Sequence, residues 1–353
     1  MNLEDLRKQI DGLDSKVVEA LNKRLELTLK IRKLKERLGK GIYSPEREQQ
    51  VISRLKKINR GPLTESALEA IYREVMSSAL ALERPLRIAY LGPEATFTHL
   101  AAIKRFGQQL EYLPCGLISD VFKEVEHSNA NYGVVPVENS IEGAVTHTLD
   151  MLIDSDLKIC SQIVMNVSHN LLSNCPSAKI NKIYSNPQVF AQCRTWLLKN
   201  FPKADLLDAA STAKAAQIVQ KQKNAACIAS ILAASFYDLK IVSRDIEDSS
   251  SNITRFLVIG KNSAGVTGND RTSLVFSIKD KVGALHDMLL PFKKYRINLT
   301  KIESRPSKKR AWDYYFFVDL EGHVQDKNVS RALKELDAHA KFLKILGSYP
   351  KAE

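Results

Sequence analysis

Leu3, Leu6, Ile10, Leu13, Val17, Ala20, Arg24, Leu27, Ile31, Leu34 and Leu38, all but one of them apolar, recur along the chain at alternating intervals of three and four residues. Positions at that rhythm share one stripe of an α-helix, which predicts a helix over 3–38 of about 36 residues, ~54 Å long at 1.5 Å per residue. A stripe so long cannot be covered by its own short domain, and it points to a second protomer. A second helix is expected to start at Ser44-Pro45-Glu46, an N-cap, an N1 proline and a first-turn acid. A third follows Pro62-Leu63-Thr64-Glu65 and runs to about Leu82.

The rhythm changes at Arg87. Short apolar strands (RIAYLG, YGVVPV, KIYSN, NAACIA, RFLVIG) alternate with amphipathic helical stretches, the pattern of an α/β domain. KNSAGVTGND is rich in glycine and small polar residues and reads as a linker. The segments after it read strand, helix, strand, strand, helix, strand, the ferredoxin-like βαββαβ order. The expected partition is an all-α domain over 1–85, a two-lobed α/β domain over 86–262, a linker over 263–270 and a ferredoxin-like α+β domain over 271–353.

Composition narrows the class. The chain has 353 residues, 44% hydrophobic and 26% charged, as expected of a soluble globular protein. Its start, MNLEDLRKQI, lacks the apolar core of a secretion signal, and no apolar run suits a membrane helix. Five cysteines are scattered without a CxxC pair, which fits the reducing cytoplasm. The histidines show neither HxH nor HExxH spacing, so no metal site is expected. The net charge of +12 is spread out, without a basic arm. That favours a small acidic substrate over nucleic acid.

Arg24 occupies a position where the helical stripe should be apolar, and Lys35, eleven residues on, lies about 20° around the same helix. A long cation inside a hydrophobic seam is costly to bury unpaired, and an anionic ligand would supply its counter-charge. Arg47 and Glu48 fall in the first turns of the second helix, and Glu83 ends the third. Together with LRKQIDGLD, NKRLEL, SPERE and SSALALE, these residues resemble the all-helical chorismate mutases, which form intertwined dimers. The resemblance implies that Arg7 from the partner chain, Arg24 and Arg47 hold the carboxylates of chorismate, beside Ser44. It further implies that Glu48 binds the ring hydroxyl, while Lys35 and Glu83 face the ether oxygen. A Claisen rearrangement needs no nucleophile, only a compact substrate and stabilised charge on the breaking C–O bond. Some relatives carry Gln at the Glu83 position and Ser at the Ala79 position. A Glu83 that donates to the ether oxygen must be protonated, so mutase activity is expected to fall as pH rises.

In the middle segment, VVPVENSIEG ends an apolar strand in Glu138, Asn139 and Ser140 and then turns at Gly143. GPEATFTH, YSNPQVFAQC with Ser185 and Gln192, STAKAAQ with Ser211 and Thr212, and SSSNITRF with Thr254 and Arg255 complete the set. In this order and spacing they resemble the prephenate dehydratase domain, with Ala95 and Thr98 standing where relatives often have Gly and Ser. The resemblance implies two α/β lobes holding an acidic ligand between them, with Thr254 acting on the leaving hydroxyl. Asn139, Ser140, Ser185 and Gln192 are its candidate supports, and Ser211 and Thr212 further candidate substrate contacts. Arg255 either holds a carboxylate or is a structural ion-pair partner. Glu138 either poises the network or pairs with a nearby base.

In the last segment, GALHDML (Gly283, Ala284, Leu285) and ESRP (Glu303, Ser304, Arg305, Pro306) resemble the phenylalanine-binding motifs of ACT domains attached to prephenate dehydratases. Backbone amides near Gly283 suit a carboxylate, and Glu303 an ammonium group. The whole chain resembles bifunctional chorismate mutase–prephenate dehydratases. That implies chorismate and prephenate as substrates, feedback by L-phenylalanine, a homodimer or homotetramer, and no cofactor. Two rivals stand beside it: a catalytically silent amino-acid sensor, and a dehydratase that prefers arogenate.

Overall fold

The computed structural model describes residues 2–37, 43–83, 86–249, 251–278, 281–307 and 314–351. The chain divides into two compact units, one of residues 1–86 with 106–111 and one of 87–105 with 112–353.

The first unit is all helix. Leu3–Arg37 is a single helix of 35 residues, followed by Pro45–Ile58, with proline in its first turn as expected, and Glu65–Glu83. Leu55, Leu68 and Ala79 are buried, and Lys56 pairs with Glu69 at 2.6 Å. The stripe on the long helix is not covered. Leu3, Ile10, Leu13, Val17, Leu27, Ile31 and Leu34 remain 50–65% exposed. Leu38, the last position of the predicted stripe, lies outside the described residues.

The second unit contains three sheets. In the first, the strands run Glu111–Cys115, Arg87–Leu91, Tyr132–Asn139, Ile253–Gly260, Lys158–Asn166, with the short strand Gly143–Ala144 paired to Tyr132–Asn139. After Asn166 the chain crosses into a second sheet, ordered Lys240–Ser243, Asn170–Ser173, Ala225–Ala229, Lys182–Ser185, Asp205–Asp208. It then returns as Ile253–Gly260, inserted antiparallel between Tyr132–Asn139 and Lys158–Asn166. This return gives the two lobes, and it places a strand from late in the sequence beside the one that carries Glu138 and Asn139.

The third sheet is ordered Leu299–Pro306, Tyr314–Glu321, Asp270–Ser277, Phe342–Pro350, all antiparallel, with helices Ala284–Lys294 and Lys327–His339 on one face. Its other face packs on the first sheet. Val275, Phe317, Leu346 and Tyr349 share one core with Val135, Val137, Leu257 and Ile259. The contact is close. A Cβ on Gly347 would lie 2.2 Å from the carbonyl oxygen of Ile159.

The glycine-rich stretch before the third sheet is tied down rather than loose. Asp270 accepts from the backbone of Thr267 and Gly268 at 2.9 and 3.1 Å and from the Thr267 hydroxyl at 2.6 Å. No described helix is long and apolar enough to cross a membrane.

Candidate active site

The paired strands Tyr132–Asn139 and Ile253–Gly260 determine which side chains meet. Their register sets Thr254 opposite Asn139 and Arg255 opposite Glu138. Side chains alternate across a strand, so the two pairs face opposite sides of the sheet.

On one face lies a chain of side-chain hydrogen bonds. The Asn139 amide nitrogen is 2.8 Å from Thr254 Oγ1 and 2.8 Å from Asn252 Oδ1. The Asn252 nitrogen donates to Gln192 Oε1 at 3.1 Å, and His169 Nε2 lies 2.8 Å from the same oxygen. Ser140 ties the two strands together: its hydroxyl donates to Ser251 O at 2.8 Å and accepts from Ile253 N at 2.9 Å. Thr254 is 8% exposed.

Donor directions along this chain follow from one end. Asn139 Oδ1 accepts the backbone amides of Ile141 and Glu142 at 2.9 and 3.0 Å, made available as the strand turns toward Gly143, whose φ is +80°. Its NH2 group therefore faces Thr254, and Thr254 Oγ1 accepts. The threonine hydroxyl hydrogen is left free for another partner.

The opposite face shows the ion-pair alternative for both Arg255 and Glu138 rather than the substrate contact. Arg255 Nη1 is 2.6 Å from Asp319 Oδ2 in the third sheet, with side chains 13% and 7% exposed. Asp319 also accepts from Ser273, whose hydroxyl lies 2.6 Å from the buried Tyr349 hydroxyl. Glu138 pairs with Lys301 at 3.0 Å and lies 3.9 Å from Arg255. Burial is the largest single effect and works against the Arg255 charge, but Asp319, Tyr349 and Glu138 together outweigh it and raise the guanidinium pKa. A cavity of about 20 Å³ lies against Arg255, Lys301, Asp319 and Ser273. Arg255 Nε is buried there without a hydrogen-bond partner, and Lys301 Nζ has its ion pair with Glu138. That volume is large enough for one water molecule.

Ser185 is also corrected. It is 0% exposed, and its hydroxyl donates to Ile228 O at 3.0 Å within the second sheet. Gln192, by contrast, joins the chain to Thr254. Ser211 caps the helix Thr212–Val219 by accepting from Lys214 N at 3.1 Å, and Thr212 is buried at its first position. The lobes meet here as well. Gln188 donates to Glu142 at 3.2 Å, and Ser230 donates to Ala95 O at 2.8 Å. Ala95 adopts φ 63°, a left-handed conformation that costs a non-glycine residue roughly 1 kcal/mol. This accounts for the glycine that relatives often carry there.

Asn252 and His169 were missed in the sequence. Asn252 had a signal, since two residues before Thr254 on a strand lies on the same face. His169 lies in the crossing between lobes, where no periodicity marks it. It is buried, its ring meets Phe97 edge-on at 5.5 Å, and burial lowers its pKa.

In the helical unit, Arg24 is half-buried and its Nη1 has no hydrogen-bond partner. Lys35 and Glu48 are half-buried, and Arg7 and Arg47 are exposed. Ser44, at the N-cap, gives its hydroxyl to Glu46. The Glu83 side chain lies outside the described residues.

In the third sheet, Gly283 caps the helix that begins with Ala284 and Leu285, while Glu303–Pro306 ends a strand. The register aligns Ser277, Tyr315 and Arg305, so both motifs lie at one end of the sheet. The second motif divides by alternation. Ser304 and Pro306 are exposed on one side, and Glu303 and Arg305 turn to the other. Arg305 is committed there, with two nitrogens each 2.6 Å from Asp150 on the helix Thr146–Asp154. That corrects its expected place at the effector.

A helical unit, a two-lobed α/β unit with a directed polar chain at the lobe junction, and a ferredoxin-like sheet against it define a multidomain enzyme. Family models match in the same order: chorismate mutase type II over 6–84, prephenate dehydratase over 88–264 and ACT domain over 272–338. A bifunctional chorismate mutase/prephenate dehydratase from Aquifex aeolicus is 49% identical, covering 99% of this chain and 98% of that protein. One of the same description from Pseudomonas aeruginosa is 43% identical over 99% and 98%. The crystal structure of a prephenate dehydratase from Arthrobacter aurescens in complex with L-Phe matches with a TM-score of 0.71 and 31% identity, over 76% of this chain and 90% of that one. The chain belongs to the bifunctional chorismate mutase/prephenate dehydratases.

Proposed function

We propose that this chain rearranges chorismate to prephenate in its helical domain and converts prephenate to phenylpyruvate between its α/β lobes, with Thr254 as the hydrogen donor to the leaving hydroxyl. The observation that carries the Thr254 assignment is the direction of its hydrogen bonds. Oγ1 receives the Asn139 N–H, so its own hydrogen points to a different partner. In the dehydration the ring C–OH bond breaks with its electron pair on oxygen. The ring carboxylate leaves as carbon dioxide, and the electrons of its C–C bond complete the aromatic ring. A threonine hydroxyl is a weak acid, and the bond donated into it by Asn139 polarises it.

Arg24, with Arg47 and Arg7 of a second copy, holds the chorismate carboxylates; Glu48 binds its hydroxyl, and Lys35 and Glu83 act at the ether oxygen. The buried, unpartnered nitrogen of Arg24 supports an anion there. The uncovered stripe of the long helix supports a homodimer built on it. L-Phenylalanine binds at the sheet end that carries Gly283–Leu285 and Glu303, and inhibits. The domains are 1–85, 86–262 and 271–353, joined by 263–270. Five free cysteines support a reducing compartment such as the cytoplasm.

A time course of purified protein with chorismate, quantifying prephenate and phenylpyruvate with and without phenylalanine, tests the scheme. Phenylpyruvate should form, and less of it with phenylalanine present. In Thr254→Ala prephenate should accumulate instead. Phenylpyruvate formed by that variant at the wild-type rate would remove Thr254 from the chemistry.

A further inference from the structure

The chain of hydrogen bonds that ends at Thr254 starts at a residue with no part in the reaction so far. His169 is 2% exposed, and its backbone N–H donates to the Glu247 carboxylate at 2.8 Å. Followed back from Asn139, each link determines the next. The amides of Ile141 and Glu142 hold Asn139 Oδ1, so Asn252 must present its oxygen to Asn139 and its NH2 group to Gln192. Gln192 must then present its oxygen, and His169 carries its proton on Nε2. The other ring nitrogen, Nδ1, is buried with no partner.

We propose that His169 is a positioning residue for the dehydration, whose Nε2–H pins the Gln192 oxygen and so keeps the Thr254 hydroxyl hydrogen directed at the leaving oxygen. This rests on the assignment of Thr254 as the donor. Without the imidazole N–H, the Gln192 amide is free to turn over. Its NH2 group would then face that of Asn252, and a compensating turn of Asn252 would face the NH2 of Asn139. Asn139 cannot follow without losing both backbone bonds, so the mismatch comes to rest on its amide nitrogen, the same nitrogen that donates to Thr254. The chain also crosses from the second lobe, which carries Gln192, to the first, which carries Asn139 and Thr254. His169 therefore helps hold the lobe junction at which the hydroxyl is aimed.

The test uses the full-length protein with prephenate, comparing His169→Phe, His169→Gln and Thr254→Ala. The glutamine amide nitrogen falls near the position of Nε2 and keeps the donor, while phenylalanine keeps the shape and loses it. One lost neutral donor that leaves an acceptor unsatisfied predicts a fall of about tenfold in dehydratase kcat for His169→Phe. KM should change by less than about twofold, because the lost interaction acts on the reacting group rather than on binding. Mutase activity should be unchanged, and His169→Gln should recover most of kcat. If His169→Phe does not fold, His169→Met against His169→Gln makes the same comparison at equal side-chain length. Equal kcat in the donor-keeping and donor-lacking variants would overturn the proposal, as would a fall confined to KM. An active Thr254→Ala would overturn the underlying assignment instead, so the two failures are distinguishable.

Discussion

Asp319 lies in the third sheet, yet its carboxylate determines what Arg255 does beside the catalytic strand. Replacing it by alanine leaves the guanidinium buried at the sheet–sheet contact, where the pair now sits at 2.6 Å. Removing one partner of a buried pair costs about 3–5 kcal/mol, because the remaining charge is uncompensated. Two features of this site bring the expectation to the lower end. Glu138 stands 3.9 Å from Arg255 Nε, and the adjacent 20 Å³ cavity would enlarge and admit more water. A loss of about 3 kcal/mol is therefore expected, a large share of the ~5–15 kcal/mol that holds a typical domain together. Urea unfolding of the full chain, followed by circular dichroism and fluorescence, measures it. The double variant Arg255→Met with Asp319→Leu removes both charges and should return to within about 1 kcal/mol of wild type. Its KM for prephenate should stay within about twofold, since the guanidinium is on the face away from Thr254. A single variant that loses less than about 1 kcal/mol would refute the buried-pair reasoning. A double variant with a greatly raised KM would return Arg255 to the substrate.

Lys35→Ala should abolish mutase activity and spare the dehydratase, the reverse of Thr254→Ala; loss of both activities in either folded variant would sink the two-site assignment. Mutase rate should fall as pH rises, and Glu83→Gln should flatten that profile. Burial depresses the pKa of His169 and of His99, so the unfolded chain binds protons more readily than the folded one. Their contribution to stability is complete above the unfolded value near 6.5 and is lost as pH falls from there through the folded value, by at most about 1.4 kcal/mol per pH unit for each histidine. Urea midpoints between pH 7 and 5 should show that slope, reduced in His169→Gln; an unchanged slope would contradict it. Gly347→Ala places a Cβ 2.2 Å from the Ile159 carbonyl and should cost ~1–3 kcal/mol by overpacking, read as a lowered unfolding midpoint.

Local pattern was enough for the long helix and for the order of elements in the last segment. The three-four stripe became a helix of 35 residues. The strand–helix–strand–strand–helix–strand reading of the last segment became an antiparallel sheet with its helices on one face. These depend on periodicity and capping, which neighbouring residues in the sequence express. Motif resemblance likewise located Thr254, Asn139, Gln192 and Ser140, because they lie in short, distinctive stretches. It did not separate Thr254 from Arg255 or Asn139 from Glu138, although each pair is adjacent in sequence. Strand alternation divides them, but only pairing with Asp319 and Lys301, far along the chain, shows that the second face is buried against another sheet.

What the sequence determined by itself is therefore the class, the three segments and the residues that could act. Tertiary structure decided which of them meet. Ser185 and Arg305 carry suitable chemistry, but their donors are taken by Ile228 and Asp150. His169 carries no motif, yet packing brings it to the far end of the hydrogen-bond chain that reaches Thr254. The physical reason is that a side chain's role depends on which partners satisfy its hydrogen bonds and charge. Those partners are brought by register and by sheet-on-sheet contact, over separations that local periodicity does not encode.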